Sequence, residues 1–374
     1  MIDIHVTTSQ RSYEVVVGPG VLERLGALLP QEFADSRCVV VTDANVAPLY
    51  LERAVVALAG SCREVSELTL PAGEREKSLS RAQELYGVLY ERGLGRTDAL
   101  IALGGGVIGD LAGFVAATYQ RGMRLVQCPT TLLAQVDAGV GGKVGVDFRK
   151  GKNYVGTFYQ PHLVVADSGT LGTLDPRDVR NGSAEVVKYG LLTGGDLLES
   201  VEEALSSGNY PGAHTDASCA PHSVPFGPEQ ISGCIRIKAG IVAADEREER
   251  GERQLLNLGH TLGHAIESAG GFQLFSHGEA VGLGLRATLW LSRRLAGLSA
   301  AEESRGMKLL SAAGLPDRLT GVDPDETVAL VARDKKAAGG KTPFVLLEAL
   351  GRPVRGVEVP QDLLRETVAW LESR

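Results

Sequence analysis

The first half of the chain alternates short β-branched runs with amphipathic stretches, and this alternation restricts the folds open to it. Predicted strands are Tyr13–Val17, Cys38–Thr42, Val65–Leu70, Ala99–Leu103, Leu125–Cys128 and Leu163–Asp167. Apolar residues recur at helical spacing between them, as in Val46–Ala59 and Ser78–Glu91. Strands that alternate with helices form βαβ units with a mostly parallel sheet. The sequence therefore predicts an α/β domain over residues 1–173.

The second half has a different composition. Beyond Asp175 the β-branched runs nearly vanish, and Ala, Leu, Glu and Arg dominate. Pro176 suits the first position of a helix. Predicted helices are Arg177–Gly190, Leu197–Ser206, Gln230–Glu249, Arg253–Ala269, Gly278–Ala296, Ala301–Ala313 and Gln361–Glu372. A mainly α-helical domain is therefore expected over residues 174–374, and the length of the chain suits two domains.

The chain is acidic overall. Its 374 residues carry 38 Lys and Arg against 46 Asp and Glu, a formal net charge of −8. Proteins that bind nucleic acids or anionic membranes neutralise phosphates with clustered Lys and Arg. We therefore expect neither partner, and any basic cluster should be a local binding site.

The cysteines and the apolar pattern bear on the compartment. Five cysteines are widely spaced without a C-x-x-C pair, which argues against a disulfide framework or a zinc ribbon. The first residues lack the basic start and apolar core of a signal peptide. No apolar run approaches the roughly 20 residues of a membrane span. A cytoplasmic protein is expected.

A glycine-rich turn follows the predicted strand Ala99–Leu103. Gly104, Gly106 and Gly109 have the spacing G-x-G-x-x-G between a strand and a helix. Small residues let the backbone approach a pyrophosphate, and the helix N-terminus favours its charge. The acidic residue usual about 20 positions later is missing. From the residues alone, the turn is either an atypical dinucleotide site or a packing turn.

A cationic set follows in a glycine-rich segment that is predicted to be a loop. It comprises Lys143, Lys152 and Asn153, with Asp137 and Arg121 ahead of them. In an acidic protein such a set suits a small phosphorylated or carboxylated ligand, because charge-assisted hydrogen bonds need fixed donors. A solvated loop is the alternative.

Histidines concentrate in the helical half. His260, His264 and Glu267 stand at i, i+4 and i+7, and His277 follows where a helix should begin. A pair at i, i+4 commonly presents two imidazoles to one metal, so periodicity alone nominates His260 and His264 as ligands. Histidines that serve only the core or a helix cap are the alternative.

The segment Ser206–Pro228 is predicted to be an irregular loop with four prolines. It contains His214, Cys219 and His222, but no metal site is expected because no fourth ligand stands at regular spacing.

Several motifs in order resemble the 3-dehydroquinate synthase family of sugar phosphate cyclases. They cover nearly the whole chain and comprise Val41–Asn45, Pro71–Ser78, Gly104–Gly122, Pro129–Lys143, Gly151–Pro161, Asn181–Gly190, Leu255–Glu267, Ser276–Val281 and Asp334–Lys336. The resemblance implies an α/β fold of that family, with an N-terminal Rossmann-like, mostly parallel sheet domain that binds NAD. It further implies a C-terminal, mainly α-helical domain that binds metal and substrate.

The activity implied by the resemblance converts 3-deoxy-D-arabino-heptulosonate 7-phosphate, a phosphorylated sugar acid, to 3-dehydroquinate and phosphate in the shikimate pathway. The implied steps are NAD-mediated oxidation, phosphate elimination, reduction, ring opening and intramolecular aldol closure. A divalent metal, zinc or cobalt, and a homodimer are also implied.

The resemblance assigns roles residue by residue. The implied NAD site comprises Asp43, Asn45, Glu74, Lys77, Gly105, Gly106, Val107, Asp110, Thr130, Thr131, Lys152, Thr170 and Thr173. Implied substrate contacts are Asp137, Lys143, Asn153, Lys188, Lys238, Arg253, Asn257, His264 and Lys336. Implied catalytic residues are His264, Glu248, Lys143 and Arg121, the last reaching in from a second subunit. Implied metal ligands are Glu185, His260 and His277.

Two of these assignments need comment. The implied ligand set replaces the periodic pair, so that His264 becomes a residue for hydrogen bonding and proton transfer. The segment before Leu255 is one residue longer than is usual in the family, which leaves the family's glutamate as either Glu248 or Glu249. Glu248 is favoured because it stands ten residues after Lys238.

Other functions share parts of this pattern. A related cyclase acting on sedoheptulose 7-phosphate or glucose 6-phosphate would not need Lys238 and Arg253 to meet a carboxylate. A metal-dependent polyol dehydrogenase would release NADH in net turnover. A non-catalytic nucleotide-binding regulator would not need the metal and lysine set.

Overall fold

The computed structural model describes residues 1–149, 151–206, 224–337 and 343–374, and the side chains of 333–337 are excepted. The chain forms two compact units. The first combines Met1–Leu174 with Gly227–Arg247, and the second combines Asp175–Phe226 with Glu248–Arg374. The segment Gly227–Arg247, which the sequence analysis placed in the helical half, thus belongs to the first unit. Most of the predicted loop Ser206–Pro228, including His214, Cys219 and His222, lies outside the described residues.

The strands are numbered in chain order. They are β1 (Ile2–Thr7), β2 (Ser12–Gly18), β3 (Arg37–Asp43), β4 (Glu64–Leu70), β5 (Ala99–Gly104), β6 (Arg124–Pro129), β7 (Lys143–Phe148), β8 (Gly151–Phe158), β9 (Leu163–Asp167), β10 (Pro343–Ala349) and β11 (Arg352–Glu358).

The helices are numbered in the same way. They are α1 (Leu25–Leu28), α2 (Glu52–Leu58), α3 (Leu79–Glu91), α4 (Gly106–Thr118), α5 (Pro176–Thr193), α6 (Gly195–Ser206), α7 (Pro228–Ala244), α8 (His260–Ala269), α9 (His277–Leu295), α10 (Ala300–Ala312), α11 (Pro324–Ala337) and α12 (Gln361–Ser373).

The first unit is built on a sheet that, in the described residues, has seven strands in the order β1-β2-β9-β6-β5-β3-β4. Every neighbouring pair is parallel except β1 with β2. The predicted α/β fold with a mostly parallel sheet is therefore confirmed. All six predicted strands are present, with ends that differ by one residue at most.

Each face of this sheet is covered by its own apolar core. Val39 and Val41 of β3 pack on the face that α3 and α4 cover, whereas Cys38 and Val40 pack on the opposite face with α1 and α2. Residues that alternate along a strand point to opposite faces. The central strands read as continuous apolar runs because both faces are buried.

The cationic segment predicted to be a loop is instead an antiparallel hairpin of β7 and β8. Gly145 pairs with Gly156, and a Cβ added at Gly156 would lie 2.5 Å from the carbonyl oxygen of Val144. The glycines that suggested a loop therefore allow two backbones to approach closely. Lys143, Lys152 and Asn153 lie on strands, which hold them more firmly than a loop would.

The second unit is mainly helical, as predicted, and also contains the unpredicted hairpin of β10 and β11. Close contacts at glycine position its helices. A Cβ added at Gly278 would lie 2.0 Å from the carbonyl oxygen of Asn181, and one at Gly284 would lie 1.9 Å from that of Gly259. Only glycine permits the start of α9 to lie against α5, and the middle of α9 to lie against the turn before α8.

Two predicted helices differ from those observed. The helix predicted over Gln230–Glu249 is shorter in the structure, because α7 ends at Ala244. The helix predicted over Arg253–Ala269 is interrupted at Gly259, whose φ of +80° is left-handed. A short 3-10 turn over Glu252–Asn257 precedes the break. Helix α8 therefore begins at His260.

Among the described helices, none has both the length and the apolar character that crossing a membrane requires.

Candidate active site

Three helices of the second unit bring a carboxylate and two imidazoles together. Glu185 lies within α5, His260 begins α8 and His277 begins α9. Glu185 Oε1 is 3.3 Å from His260 Nε2 and 3.7 Å from His277 Nε2. One possible ligand atom from each of the three residues lies within 4.8 Å of the others. This geometry suits a divalent cation held by three protein ligands, with positions left for a substrate.

Hydrogen bonds orient both rings toward Glu185. His260 Nδ1 lies 3.1 Å from the carbonyl oxygen of Leu258, and His277 Nδ1 lies 3.2 Å from Glu267 Oε2. These oxygens accept hydrogen bonds, so each Nδ1 carries the proton that is donated. Metal-ligating histidines commonly donate their other nitrogen in this way. No role was predicted for Glu267, although it shares a helix face with His260 and His264.

The carboxylate of Glu185 is fully buried. Neither of its oxygens has a well-aligned hydrogen bond, although the ammonium of Lys188 lies beside it. Burial opposes its charge, but Lys188 and His260 lower the pKa of Glu185 well below its ordinary value. An ionised, buried carboxylate with unused acceptor capacity fits a metal ligand.

The two carboxylates beside His277 favour its charged form. Burial favours its neutral form, but the neighbouring carboxylates of Glu185 and Glu267 raise the pKa of His277 to about 9. A cation bound at Nε2 would take the place of this ring's second proton, because a histidine ligates through a deprotonated nitrogen.

The cluster does not favour the ligand pair nominated by periodicity. A second possible ligand set comprises His264, Glu267 and His277, and it shares His277 with the first set. In the described part of the chain, neither set contains both His260 and His264. Glu267 Oε2 is already bonded to His277 Nδ1. We therefore favour Glu185, His260 and His277, with His264 beside them at 5.3 Å between ring centroids from His260.

Further predicted substrate residues lie in the second unit. Lys188 is buried beside Glu185. Arg253 is 2% exposed, and its Nε lies 3.5 Å from Glu248 Oε1. Glu248 has a left-handed φ of +62°, and the choice of Glu248 over Glu249 stays a prediction. Asn257 is exposed at the end of the 3-10 turn. Lys336 lies in α11, and its side chain is outside the described residues.

In the first unit the glycine turn has the predicted context. Gly105 is the N-cap of α4, directly after β5. A Cβ added at Gly105 would lie 3.2 Å from Thr131 Cγ2, so the turn has little room for a side chain. The buried hydroxyl of Thr130 lacks a hydrogen-bond partner, and such a group is available to a ligand. The turn therefore fits a bound dinucleotide better than a packing turn alone.

Except for Lys152, which lies in β8, the residues predicted to bind NAD follow the carboxyl ends of five neighbouring parallel strands. In sheet order these strands are β9, β6, β5, β3 and β4. The residues are Thr170 and Thr173 after β9, Thr130 and Thr131 after β6, Gly105, Gly106, Val107 and Asp110 after β5, Asp43 and Asn45 at β3, and Glu74 and Lys77 after β4. Ligands of open α/β sheets bind at this edge.

Ion pairs organise this edge of the sheet. Lys77 Nζ lies 2.5 Å from Asp110 Oδ2, and the lysine side chain is 6% exposed. Burial would lower the pKa of Lys77, but the charges of Asp110 and Glu74 outweigh it and raise that pKa. Lys152 Nζ approaches Glu74 Oε1 at 4.0 Å. Glu74 thus brings an acidic group to this edge from the segment after β4.

Two other predicted residues meet in the first unit. Lys238 of α7 donates to the carbonyl oxygen of Asp137 at 2.6 Å and lies 2.9 Å from Asp137 Oδ1. Both were predicted to contact substrate. Arg121 is exposed in a left-handed turn between α4 and β6, so it lies near the amino end of β6. It does not join the residues of the glycine turn.

The comparisons with known proteins agree with these features. The model of the 3-dehydroquinate synthase N-terminal domain matches residues 67–181, and that of the C-terminal domain matches residues 182–337. A 3-dehydroquinate synthase from Nitrosomonas europaea is 43% identical over 96% of this chain and 94% of its own. The chain belongs to the 3-dehydroquinate synthase family.

Solved structures place this family member among sugar phosphate cyclases. A 2-deoxy-scyllo-inosose synthase complexed with carbaglucose-6-phosphate, NAD+ and Co2+ is 26% identical, with a TM-score of 0.81 over 98% of this chain and 99% of that one. The 2-epi-5-epi-valiolone synthase of Streptomyces hygroscopicus subsp. jinggangensis, with NAD+ and Zn2+ bound, is 27% identical, with a TM-score of 0.80 over 98% of each chain.

Proposed function

We propose that this chain is a 3-dehydroquinate synthase that converts 3-deoxy-D-arabino-heptulosonate 7-phosphate to 3-dehydroquinate and phosphate. The observation that carries the proposal is the convergence of Glu185, His260 and His277 in a chain 43% identical to a synthase of that name. The reaction begins and ends without net oxidation, so its cofactor is used catalytically.

The cofactors are NAD and a divalent metal, as in the two solved cyclases. When bound, NAD accepts and returns a hydride and the metal polarises the alcohol that is oxidised. The first unit is the NAD-binding domain, which presents the glycine turn and the Asp110–Lys77 pair. The second unit is the metal- and substrate-binding domain, which presents Glu185, His260 and His277 as ligands.

The remaining polar residues bind and orient the substrate. Lys188 and Arg253 are buried cations of the second unit that stabilise negative charge on the substrate, and Asn257 supplies a hydrogen bond. Lys143, Asn153 and the Asp137–Lys238 pair are the corresponding groups of the first unit. Fixed cations stabilise the charge that develops during elimination and ring closure. Lys336 is assigned to the same set by family resemblance.

His264 and Glu248 are the proton-transfer residues. His264 stands beside the ligand rings without ligating, so its nitrogens are available to the substrate. Glu248 pairs with Arg253 at the start of the segment that leads to His260. Desolvation, together with His260 and His277, lowers the pKa of His264 to about 3. The ring is therefore neutral at neutral pH, with one nitrogen that can accept a proton and one N–H that can donate a hydrogen bond.

The active form is a cytoplasmic homodimer in which Arg121 of one subunit serves the site of the other. The support is topological. Arg121 lies by the amino end of β6, whereas the glycine turn follows the carboxyl end of the adjacent strand β5. A six-residue strand spans about 20 Å, which is farther than an arginine side chain extends. Sedimentation that shows a monomer at assay concentration would remove this role.

A related cyclase is the second candidate, because the solved cyclases cover 98% of this chain. Substrates such as sedoheptulose 7-phosphate or glucose 6-phosphate lack the carboxylate that Lys238 and Arg253 would meet. A polyol dehydrogenase with the same cofactors would accumulate NADH.

One assay distinguishes these activities. The chain is incubated with 3-deoxy-D-arabino-heptulosonate 7-phosphate, a catalytic amount of NAD and zinc, and phosphate, dehydroquinate and NADH are measured together. Equal release of phosphate and dehydroquinate without accumulated NADH supports the proposal. NADH formed in proportion to substrate contradicts it, as does turnover only with the two substrates that lack a carboxylate.

A further inference from the structure

A cavity of about 630 Å³ lies in the first unit, apart from the residues assigned to NAD. Its lining includes Arg11, Glu32, Arg96, Arg121, Arg124 and His162. Four cations and one carboxylate thus face one space in a chain whose net charge is −8. The cavity is a local basic cluster of the kind that the composition led us to expect.

The position of the cavity separates it from the dinucleotide turn. Arg96 precedes β5 and Arg124 begins β6, so both lie at the amino ends of these parallel strands. The glycine turn lies at the carboxyl end of β5. The six residues of β5 span about 20 Å, and a ligand in the cavity is therefore distinct from the proposed NAD.

Arg11 supplies the first donor. Its Nη1 is buried and has no hydrogen-bond partner. Burial lowers the pKa of Arg11, and Tyr159 and Glu32 partly oppose this effect. A buried cationic nitrogen without an acceptor is costly, so an anion that reaches it gains a charge-assisted hydrogen bond.

His162 supplies a second donor of fixed orientation. The backbone N–H of Leu125 donates to its Nδ1 at 3.2 Å. Burial, with Arg11 and Arg124, lowers the pKa of His162 to about 3. The ring is therefore neutral at pH 7, and its single proton is on Nε2. Glu32 Oε1 stands 3.9 Å from this nitrogen and is half exposed, which shows that a carboxylate is tolerated there.

The arginine beside them is held in place. Arg124 Nη1 donates to Ser36 Oγ at 2.6 Å and to the carbonyl oxygen of Thr97 at 2.5 Å. Its guanidinium also stacks over the Phe33 ring at 5.4 Å. Donors whose side chains are already ordered lose less entropy when a ligand binds.

We propose that this cavity binds a small anion of the phosphate class, either inorganic phosphate or a phosphate monoester, through Arg11, Arg96, Arg124 and His162. Arginine forks match the oxygens of a tetrahedral dianion. A net excess of cations attracts the dianion, and Glu32 is exposed enough to move aside. Arg121 also lines the cavity, but it is left out of the proposed set because the proposed function assigns it to the active site of a second subunit. The inference is independent of the proposed function.

Equilibrium dialysis with labelled inorganic phosphate tests the site on the full-length chain. Arg11→Gln and Arg96→Gln each remove one donor, and Arg96 is exposed, so its replacement should leave folding unchanged. Each replacement should raise the dissociation constant of phosphate at the cavity about tenfold, which is the effect of one lost charge-assisted hydrogen bond. Arg365→Gln removes the same charge from an exposed helix position in the second unit and should have no effect.

The proposed active site also accepts phosphate, so Lys143→Gln is measured in parallel. Loss of binding in Lys143→Gln, with unchanged binding in Arg11→Gln and Arg96→Gln, would overturn the inference. Displacement of labelled phosphate by glucose 6-phosphate from this site would identify esters as ligands, and failure to displace would identify the free anion. Dialysis measures binding without turnover, so the phosphate result can be interpreted even if the proposed activity is not found.

Discussion

Glu267 Oε2 lies 3.2 Å from Nδ1 of His277, and this contact determines which ring nitrogen of His277 faces Glu185. The carboxylate of Glu267 is 4% exposed, so its bond to the ring is shielded from water. A buried acceptor behind a metal-ligating histidine orients the ring and raises its basicity. The sequence pattern placed Glu267 on the same helix face as His260 but could not show its partner.

Replacement of Glu267 by Gln should weaken metal binding about tenfold, because a neutral amide supports His277 less strongly than a carboxylate. The dissociation constant for Zn2+ or Co2+ is measured by competition with a chelator. Glu366→Gln, at an exposed position of α12, is the control and should bind metal normally. Unchanged affinity in Glu267→Gln would show that the contact has no part in the site.

Replacement of His264 by Ala should separate proton transfer from metal binding. The dialysed variant should retain about one equivalent of metal. The rate of phosphate release should fall by a factor of about 10² to 10⁴, which is the usual contribution of a general acid or base. His260→Ala is the paired variant, and it should lose both metal and activity. Metal lost from His264→Ala would restore the ligand pair that periodicity nominated.

The Lys77–Asp110 pair should be important for stability. Asp110→Asn leaves the lysine ammonium in a site where its side chain is 6% exposed, and loss of one partner of a buried pair costs about 3 kcal/mol of the free energy of unfolding. Urea unfolding measures this change. Arg305→Gln breaks an exposed pair of 2.6 Å with Glu202 and should cost less than about 1 kcal/mol. Equal effects in the two variants would contradict a role for burial.

Ionisation of Glu246 should make the free energy of unfolding depend on pH in the acid range. Glu246 accepts hydrogen bonds from the backbone N–H of Ser9 at 2.7 Å and from Gln160 Nε2 at 2.8 Å. Burial opposes its charge, but the bonds from Ser9 and Gln160 lower the pKa of Glu246. Its contribution is complete above the unfolded pKa of about 4.3 and is lost as the pH falls through the lower, folded pKa.

Thermal unfolding of the parent chain and Glu246→Gln across about pH 3 to 7 checks this dependence. The parent should be more stable near neutrality, and the difference should shrink as the pH falls below about 4. A difference that stays constant over this range would show that ionisation of Glu246 does not contribute.

Much of the first unit could be predicted from local patterns. A strand buried on both faces is a short apolar run between turn residues, and the turn after β5 needs glycine whatever surrounds it. The hairpin of β7 and β8 was missed for a related reason. Glycine can mark either a loop or the close approach of two strands. The sequence does not show which of the two applies at Gly145 and Gly156.

Local patterns predict the order of strands and helices and the residue types available for chemistry, because helical and strand periodicity are properties of neighbouring residues. Which side chains contact one another depends on how the elements pack in the folded chain. Glu185 meets His260 and His277 because glycines let α5, α8 and α9 pack closely. Helix α7 joins the first unit through Lys238, and the segment after it does so through Glu246. Such contacts depend on distances between segments far apart in the chain, and no local period records them.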